Sequence, residues 1–412
     1  MQRIAIIGAG ISGLAIANLL KPKFIVKIFE SENKPGGLIA CDNINGIIYH
    51  KIGGHIFNSK NKMVLDWFWK FFDAEKEFTK AARNAVIHLD NTFVNYPIEN
   101  FIYQLPNETV RDIISDLLNL VKKKEQIKNF EEFLLANFGK TLYKIYFKPY
   151  NRKIWNYDLS KISLDWLNGK LPDPSIKEII YNNFIKVNET SMVHSTFYYP
   201  RKNGSQFIAD RLAKNLDIEY NSKINSIKRN GEKWFVNDYE CEKIIFCGNI
   251  LDLPQILKRN LRGINQLKYH GTTSVLCKIK NNPYSWVYMP SESHKSHRII
   301  CTGNFSKTNN GKMDGEFITA TIEFTNNILK ADILKEIKNI PFSPKYILHN
   351  YAKYTYPIQN KYTKEIIISL KDTLQKENFF LLGRFAEWEY YNMDTAIEAA
   401  MNLSREFLLN LN

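Results

Sequence analysis

The sequence predicts an α/β protein in which a nucleotide-binding unit on a parallel sheet is joined by a helical insertion and a separate antiparallel β-sheet domain. Three observations predict it. "IAIIGAGISGLAIANLL" (4–20) sets three spaced glycines between an apolar run and a stretch of helical apolar spacing. Apolar spacing near 3.6 dominates 110–147, and several β-like runs fill 266–370. At 412 residues the chain is long enough for two or three lobes, since single cores stop growing at roughly 250–300 residues.

In the opening unit, Ile4–Ile7 reads as a strand, Gly8-Ala9-Gly10-Ile11-Ser12-Gly13 as a turn and Leu14–Leu20 as a helix. Gly8 permits the tight turn, Gly10 removes a Cβ that would block a pyrophosphate, and Gly13 lets helix and strand pack closely. The helix N-terminus then offers free N–H groups and a partial positive charge. "KFIVKIFES" follows as a second strand ending in Glu30, twenty residues after Gly10, where an acid would accept hydrogen bonds from a ribose diol. The unit is Rossmann-like and its ligand a dinucleotide. "NKPGGLIA" (33–40) adds Gly36, Gly37 and Leu38, running into an extended segment. NAD enzymes usually continue into a helix here. The second glycine pair resembles the flavoprotein pattern, in which the chain follows FAD toward its isoalloxazine ring.

Farther along, 64–80 and 110–147 read as helices, with "AVIHLDNTFVNYPI" between them as strand, Asp90-Asn91 turn and strand. "NGSQFIADRLAKNL" (203–216) reads as a helix, and "CEKIIFCGN" (241–249) as an apolar strand returning to the nucleotide sheet. "TTSVLCKIK", "SWVYMP", "HRIICTGNF" and "EFITATIEF" form the antiparallel sheet, and "NFFLLGRF" then "MDTAIEAAMNLSREFLLNL" is strand, turn and helix rejoining the first domain. The expected division is a discontinuous FAD-binding domain (1–80, 190–262, 370–412), a helical domain (100–189), and a sheet domain (81–99, 263–369). No internal repeat is apparent.

The net charge of +14 and a pI near 9.2 suit an anionic partner. The lysines are spread along the chain, and the densest run, "VKKKEQIKNF", reads as a solvated helix face, so nucleic acid is not the expected partner. Five cysteines without a CxxC pair indicate neither a disulfide framework nor a zinc site and point to a reducing cytoplasm. No uninterrupted apolar stretch of about 18 residues occurs, so no integral membrane segment is expected. The eight histidines show no metal-ligand spacing and no nucleophile triad stands out, which removes metalloenzyme and hydrolase readings.

Several segments could carry chemistry. "GGHIFNSKN" places His55 after Gly53-Gly54, where glycines allow close approach to a flat ligand. "YFKPYNRKIW" sets Tyr150 and Trp155 near a helix end with Arg152 and Lys153 between them, rings and cations that suit a base and phosphates or, equally, helix-end packing. Arg298 opens a strand, and "YAKYTYPIQNKY" supplies Tyr354, Tyr356 and Pro357. Tyrosine hydroxyls grip diphosphates and sugars, and an arginine can neutralise a phosphate bidentately. Gly383-Arg384 ends a strand, so that Arg384 could meet a pyrophosphate. Asn392 begins a helix and could cap it or, with Met393, meet a flavin edge.

Taken in order, GAGISG, Glu30, PGG, GGHIFNS, PYNRKIW, Tyr356-Pro and GRFAEWEYYNMD resemble the UDP-galactopyranose mutase family across almost the whole chain. The resemblance implies an isomerase in which reduced FAD attacks the anomeric carbon of a nucleotide-activated hexopyranose through N5 and expels UDP. The flavin–sugar adduct opens, the 4-hydroxyl recloses on the anomeric carbon to give a furanose, and UDP returns with no net redox change. It also implies site roles. Tyr150 and Trp155 would be uridine-side rings, His55 the histidine beside the flavin, and Arg298 the diphosphate arginine with Tyr356 and Tyr390 as hydroxyl partners. Arg384 would be an FAD phosphate ligand, with Gly8, Gly10, Ile11, Ser12, Gly13, Glu30, Gly36, Gly37, Leu38, Gly383, Asn392 and Met393 also lining the cofactor.

Two departures bear on the substrate. In the family's mobile loop, here near 156–175, Lys170 stands where the family has an arginine, a point charge in place of a planar fork. Asn392 replaces the family's aspartate. The resemblance further implies a flavin reductant, a nucleotide-sugar substrate, a role in surface polysaccharide synthesis through galactofuranose or a related sugar, and leaves a homodimer open. Two alternatives stay open at this point. One is an FAD-dependent oxidoreductase of the amine-oxidase and protoporphyrinogen-oxidase kind, which shares the glycine turn, the acid and PGG. The other is a catalytically silent flavoprotein.

Overall fold

A computed structural model describes residues 1–120, 127–167, 175–187 and 195–409. Strand β1 (Arg3–Ile7) lies at the centre of a five-stranded parallel sheet. It is flanked by β2 (Ile25–Phe29) and by the strand Lys243–Phe246, with Asp217–Glu219 and Phe379–Leu381 at the two edges. Parallel neighbours need a crossover, and helix α1 (Ile11–Leu20) supplies the first. β1 is apolar on both sides because both faces are covered. Ile4 and Ile6 pack with α1 and the helix Met393–Leu409, while Ala5 and Ile7 pack toward Leu370, Leu374 and Trp388. The nucleotide sheet thus draws on the beginning, the middle and the far end of the chain.

A seven-stranded sheet forms the second layer. From one edge its strands are Lys345–Ile358, Lys268–Lys280, Phe317–Thr325, Ser296–Ile300, Trp286–Tyr288, Ala85–Leu89 and Thr92–Asn95. Neighbours run antiparallel except Trp286–Tyr288 beside Ala85–Leu89, which is parallel. One face, with Val275, Cys277, Ile299 and Ile322, closes its own core. The other carries Ile87, Tyr288, Ile300 and Tyr356 and packs against the helical insertion through Leu142, Tyr146, Tyr150 and Trp155. That insertion holds the helices Asn107–Leu118, Phe130–Leu142, Lys148–Trp155 and Ile176–Phe184. No helix among the described residues is long and apolar enough to cross a membrane.

Two expected elements differ. The first helix begins at Ile11 and not Leu14, because Gly10, extended at φ −74° and ψ 178°, serves as its N-cap and leaves Gly13 inside the first turn. The helix expected over 64–80 is broken. Lys62–Phe68 is helical, Ala74–Glu77 forms one turn capped by the Asp73 side chain, and Phe78–Ala82 is a strand paired with Thr196–Pro200. The apolar spacing there belongs to a cluster of rings, Phe57, Phe68, Trp69, Phe72 and Phe78, that ties helix to strand. Most of the expected charged helix face, 121–126, lies outside the described residues.

Candidate active site

The glycine-rich turn shapes a cradle for a dinucleotide. A Cβ on Gly10 would meet nothing within 4 Å, so open space lies before α1. No side chain caps α1 and no acid stands in its first turn, which leaves its leading N–H groups and partial positive charge facing that space. A Cβ on Gly13 would lie 2.0 Å from the Gly8 carbonyl oxygen, and Gly8 itself has φ +107°. The second glycine pair meets the first, for Gly36 N–H donates to the Ala9 carbonyl (2.9 Å) and a Cβ on Gly37 would stand 3.3 Å from the Gly10 Cα. Leu38 is half-buried and packs against the core that contains Phe385 and Trp388. Ser12 is buried, and a Cβ on Gly383 would lie 2.8 Å from its hydroxyl. These residues fit the phosphates of a dinucleotide.

Glu30 is buried and already engaged. One carboxylate oxygen accepts from Ala9 N–H (2.6 Å), the other from Glu32 N–H (2.9 Å) and the Ser31 hydroxyl (3.1 Å). The acid braces the turn, and the oxygen that accepts from Ala9 keeps acceptor capacity for a ribose.

A second group of side chains forms on the insertion-facing side of the large sheet. Tyr288, Arg298 and Glu323 are successive cross-strand neighbours, so they point to one face. Arg298 Nε donates to Glu323 Oε2 (2.6 Å), its Nη2 contacts the same oxygen, and Nη2 reaches the Tyr356 hydroxyl at 3.4 Å. Burial weighs against the Glu323 charge, but Arg298 and His297 overcome it and hold the carboxyl down to about 2. The ion pair is therefore complete before any ligand enters.

Tyr356 centres a column of rings. His270, its cross-strand neighbour, stacks on one side at 4.8 Å, and Tyr390 on the other at 5.6 Å. Arg384 lies over Tyr390 (4.4 Å) and Tyr356 (5.2 Å), and its Nε is buried without a partner. Trp155 meets Tyr356 and Tyr390 at 6.1 and 6.2 Å, and Tyr150 meets Tyr288 edge-on at 5.3 Å. Lys153, between those two, donates to the carbonyls of Met289 (3.0 Å), Ser291 and Ser296 (3.1 Å), tying its helix to the loop that leads to Arg298.

His55 joins this group from the paired glycines Gly53-Gly54. A Cβ on Gly53 would lie 3.5 Å from His55 Nε2 and 3.6 Å from Glu323 Oε1, so imidazole and carboxylate flank the same glycine. His55 Nε2 is buried and unpartnered. Burial first, then the Arg384 charge, pushes its pKa down to about 4, and burial pushes His270 to about 4 and His50 to about 3. All three are neutral in the fold at pH 7. The unfolded chain takes up protons near pH 6.5 that the folded chain refuses until about pH 4, so stability falls as pH drops through that window. The expected slope is about 1.4 kcal/mol per pH unit for each such histidine. Chemical denaturation midpoints should drop clearly from pH 7 to pH 5; a flat profile would contradict these neutral imidazoles.

Of the residues singled out in the sequence, Tyr150, Trp155, Arg298, Tyr356, Tyr390, Arg384 and His55 come together, while Met393 is buried at the start of its helix. Asn392 stands exposed just before that helix, its N–H donating to the Thr395 hydroxyl (2.9 Å). Lys170 and much of the loop around it lie outside the described residues. Sequence reading missed Glu323, His270, His297 and Arg83. The signal for Glu323 was present in "EFITATIEF", where a lone acid occupies the threonine side of an alternating buried strand.

A family model described as an NAD(P)-binding Rossmann-like domain matches residues 6–74. The chain is 23% identical to the UDP-galactopyranose mutase of Mycoplasma genitalium, over 98% of this chain and 94% of that protein. It is also 23% identical to the dTDP-fucopyranose mutase of Escherichia coli, over 100% and 99%. The crystal structure of reduced UDP-galactopyranose mutase superposes with a TM-score of 0.88 at 20% identity, covering 100% of this chain and 94% of that one. This likeness establishes the fold, a Rossmann-like domain with a separate antiparallel sheet.

Proposed function

We propose that this chain, which resembles the pyranose–furanose mutases over its full length, interconverts the pyranose and furanose forms of a nucleotide-activated hexose with a bound FAD that acts in its reduced form. The observation that carries the reading is the Tyr288–Arg298–Glu323 row with Tyr356, packed beside the rings of Tyr150 and Trp155. Reduced flavin, when bound, supplies an electron-rich nitrogen that can act as nucleophile toward the sugar's anomeric carbon. The chain's residues do the rest. Arg298 and the hydroxyls of Tyr356 and Tyr390 hold the diphosphate as it leaves and returns, while Tyr150 and Trp155 stack on the nucleoside. Neutral His55 offers Nε2 to the cofactor, and Gly8, Gly10, Ile11, Ser12 and Gly13 take its phosphates with Gly383 and Arg384. Lys170 supplies a further cation, and Asn392 in place of an acid lightens the negative charge near the sugar. A cellular reductant for the flavin and a destination in surface polysaccharide belong to this reading.

The rings and the ion pair favour transfer of a charged leaving group over oxidation of an amine or porphyrinogen. The purified protein, reduced anaerobically with dithionite, should interconvert UDP-galactofuranose, UDP-N-acetylgalactosamine or dTDP-fucose with its ring isomer, read by chromatography. Product should form only in the reduced state. Bleaching of the oxidised flavin by an amine or a porphyrinogen, with no ring interconversion, would replace this reading with the oxidase one.

A further inference from the structure

Arg83 stands just before the strand Ala85–Leu89, on the far side of Trp286–Tyr288 from Arg298. Its Nη2 donates to the Tyr288 hydroxyl. The guanidinium lies over the rings of Tyr96 (4.9 Å), Trp286 (5.2 Å) and Tyr288 (5.9 Å). Its Nε is sealed from solvent and bonded to nothing, and among the described residues no carboxylate pairs with it. Arg298 is the opposite case, its charge cancelled by Glu323.

The two guanidiniums share surroundings. Tyr288 takes the Arg83 hydrogen bond and is the cross-strand neighbour of Arg298, and Tyr150 packs edge-on against Tyr288. The cation on one side of Tyr288 is therefore neutralised, and the other side carries a part-buried cation whose Nε is sealed from solvent with a donor to spare. Rings soften that charge without satisfying its N–H groups. A buried charge with no counterion is costly to keep and is completed when an anion binds. A planar fork of donors suits phosphate oxygens in particular.

We propose that Arg83 is a second anion ligand of the pocket, taking phosphate oxygens of the substrate's diphosphate across Tyr288 from Arg298. The assignment rests on the nucleotide-sugar reading above. The test uses the full-length, FAD-loaded protein and isothermal titration with UDP and with uridine. Arg83→Gln should weaken UDP by roughly tenfold or more and leave uridine unchanged, and Arg83→Lys should recover part of the loss. Raising the salt concentration should weaken UDP less steeply in Arg83→Gln than in the native chain. Equal UDP affinity in the native chain and Arg83→Gln overturns the proposal, and so does a matching loss of uridine, which would place Arg83 on the base or in the scaffold. If Arg83→Gln fails to take up FAD, Arg83→Lys decides. Loss of the fork should weaken UDP several-fold with uridine unchanged, and equal UDP affinity overturns the proposal. A native chain that binds neither UDP nor dTDP would overturn the nucleotide-sugar reading itself, a failure visible before any variant is made.

Discussion

Arg298→Ala is expected to abolish turnover and to destabilise the fold by about 3–5 kcal/mol, the cost of leaving one partner of a buried ion pair alone. Glu323 would then sit as an uncompensated buried carboxylate, with His297 at 3.5 Å as its nearest basic group. Two effects are mixed in that variant, and a second substitution separates them. In Arg298→Ala/Glu323→Gln the orphaned charge is gone, so much of the stability should return while activity stays lost. Urea denaturation together with the reduced-state mutase assay reads both quantities. A double variant that recovers turnover would show that Arg298 serves only the scaffold, and a single variant of native stability would show that the pair contributes nothing to the fold.

The second large effect lies in the glycine turn, where two alanines should fail in different ways. Gly13→Ala sets a Cβ 2.0 Å from the Gly8 carbonyl oxygen, a collision between backbone-fixed atoms that no rotamer relieves. It should abolish folding or force α1 off β1. Gly10→Ala meets open space and has φ −74°, which alanine adopts freely, so the chain should fold at native stability or slightly above it. Its methyl group would nevertheless stand where a pyrophosphate must pass, and the purified protein should be colourless. Flavin absorbance per chain and the thermal midpoint distinguish the two. A yellow Gly10→Ala protein would move the cofactor away from this turn.

The opening unit was legible because its chemistry is local. A strand, a spaced glycine turn and a helix declare themselves within a short stretch, and the glycines leave no substitute reading once the second strand ends in Glu30. The seven-stranded sheet was legible as alternation, as in "EFITATIEF". The broken helix at 64–80 was not, because rings at helical spacing pack as well between a helix and a strand as along one helix. Arg83 gave no signal at all. It follows a pair of alanines in an unremarked stretch, and only the parallel pairing of Ala85–Leu89 with Trp286–Tyr288 carries it to Tyr288. Glu323 and Arg298 are twenty-five residues apart in sequence and opposite one another in the sheet, so their partnership is a product of register.

The parallel sheet has a temporal consequence. β1 is made long before its neighbour Lys243–Phe246 and the edge strand Phe379–Leu381. The helix Met393–Leu409, which covers α1, comes later still. Until then the side of α1 that this helix covers stays exposed, and the growing chain carries apolar surface there. The covering of the nucleotide sheet is therefore incomplete until Met393–Leu409 has been made, and flavin loading reports on synthesis through that helix.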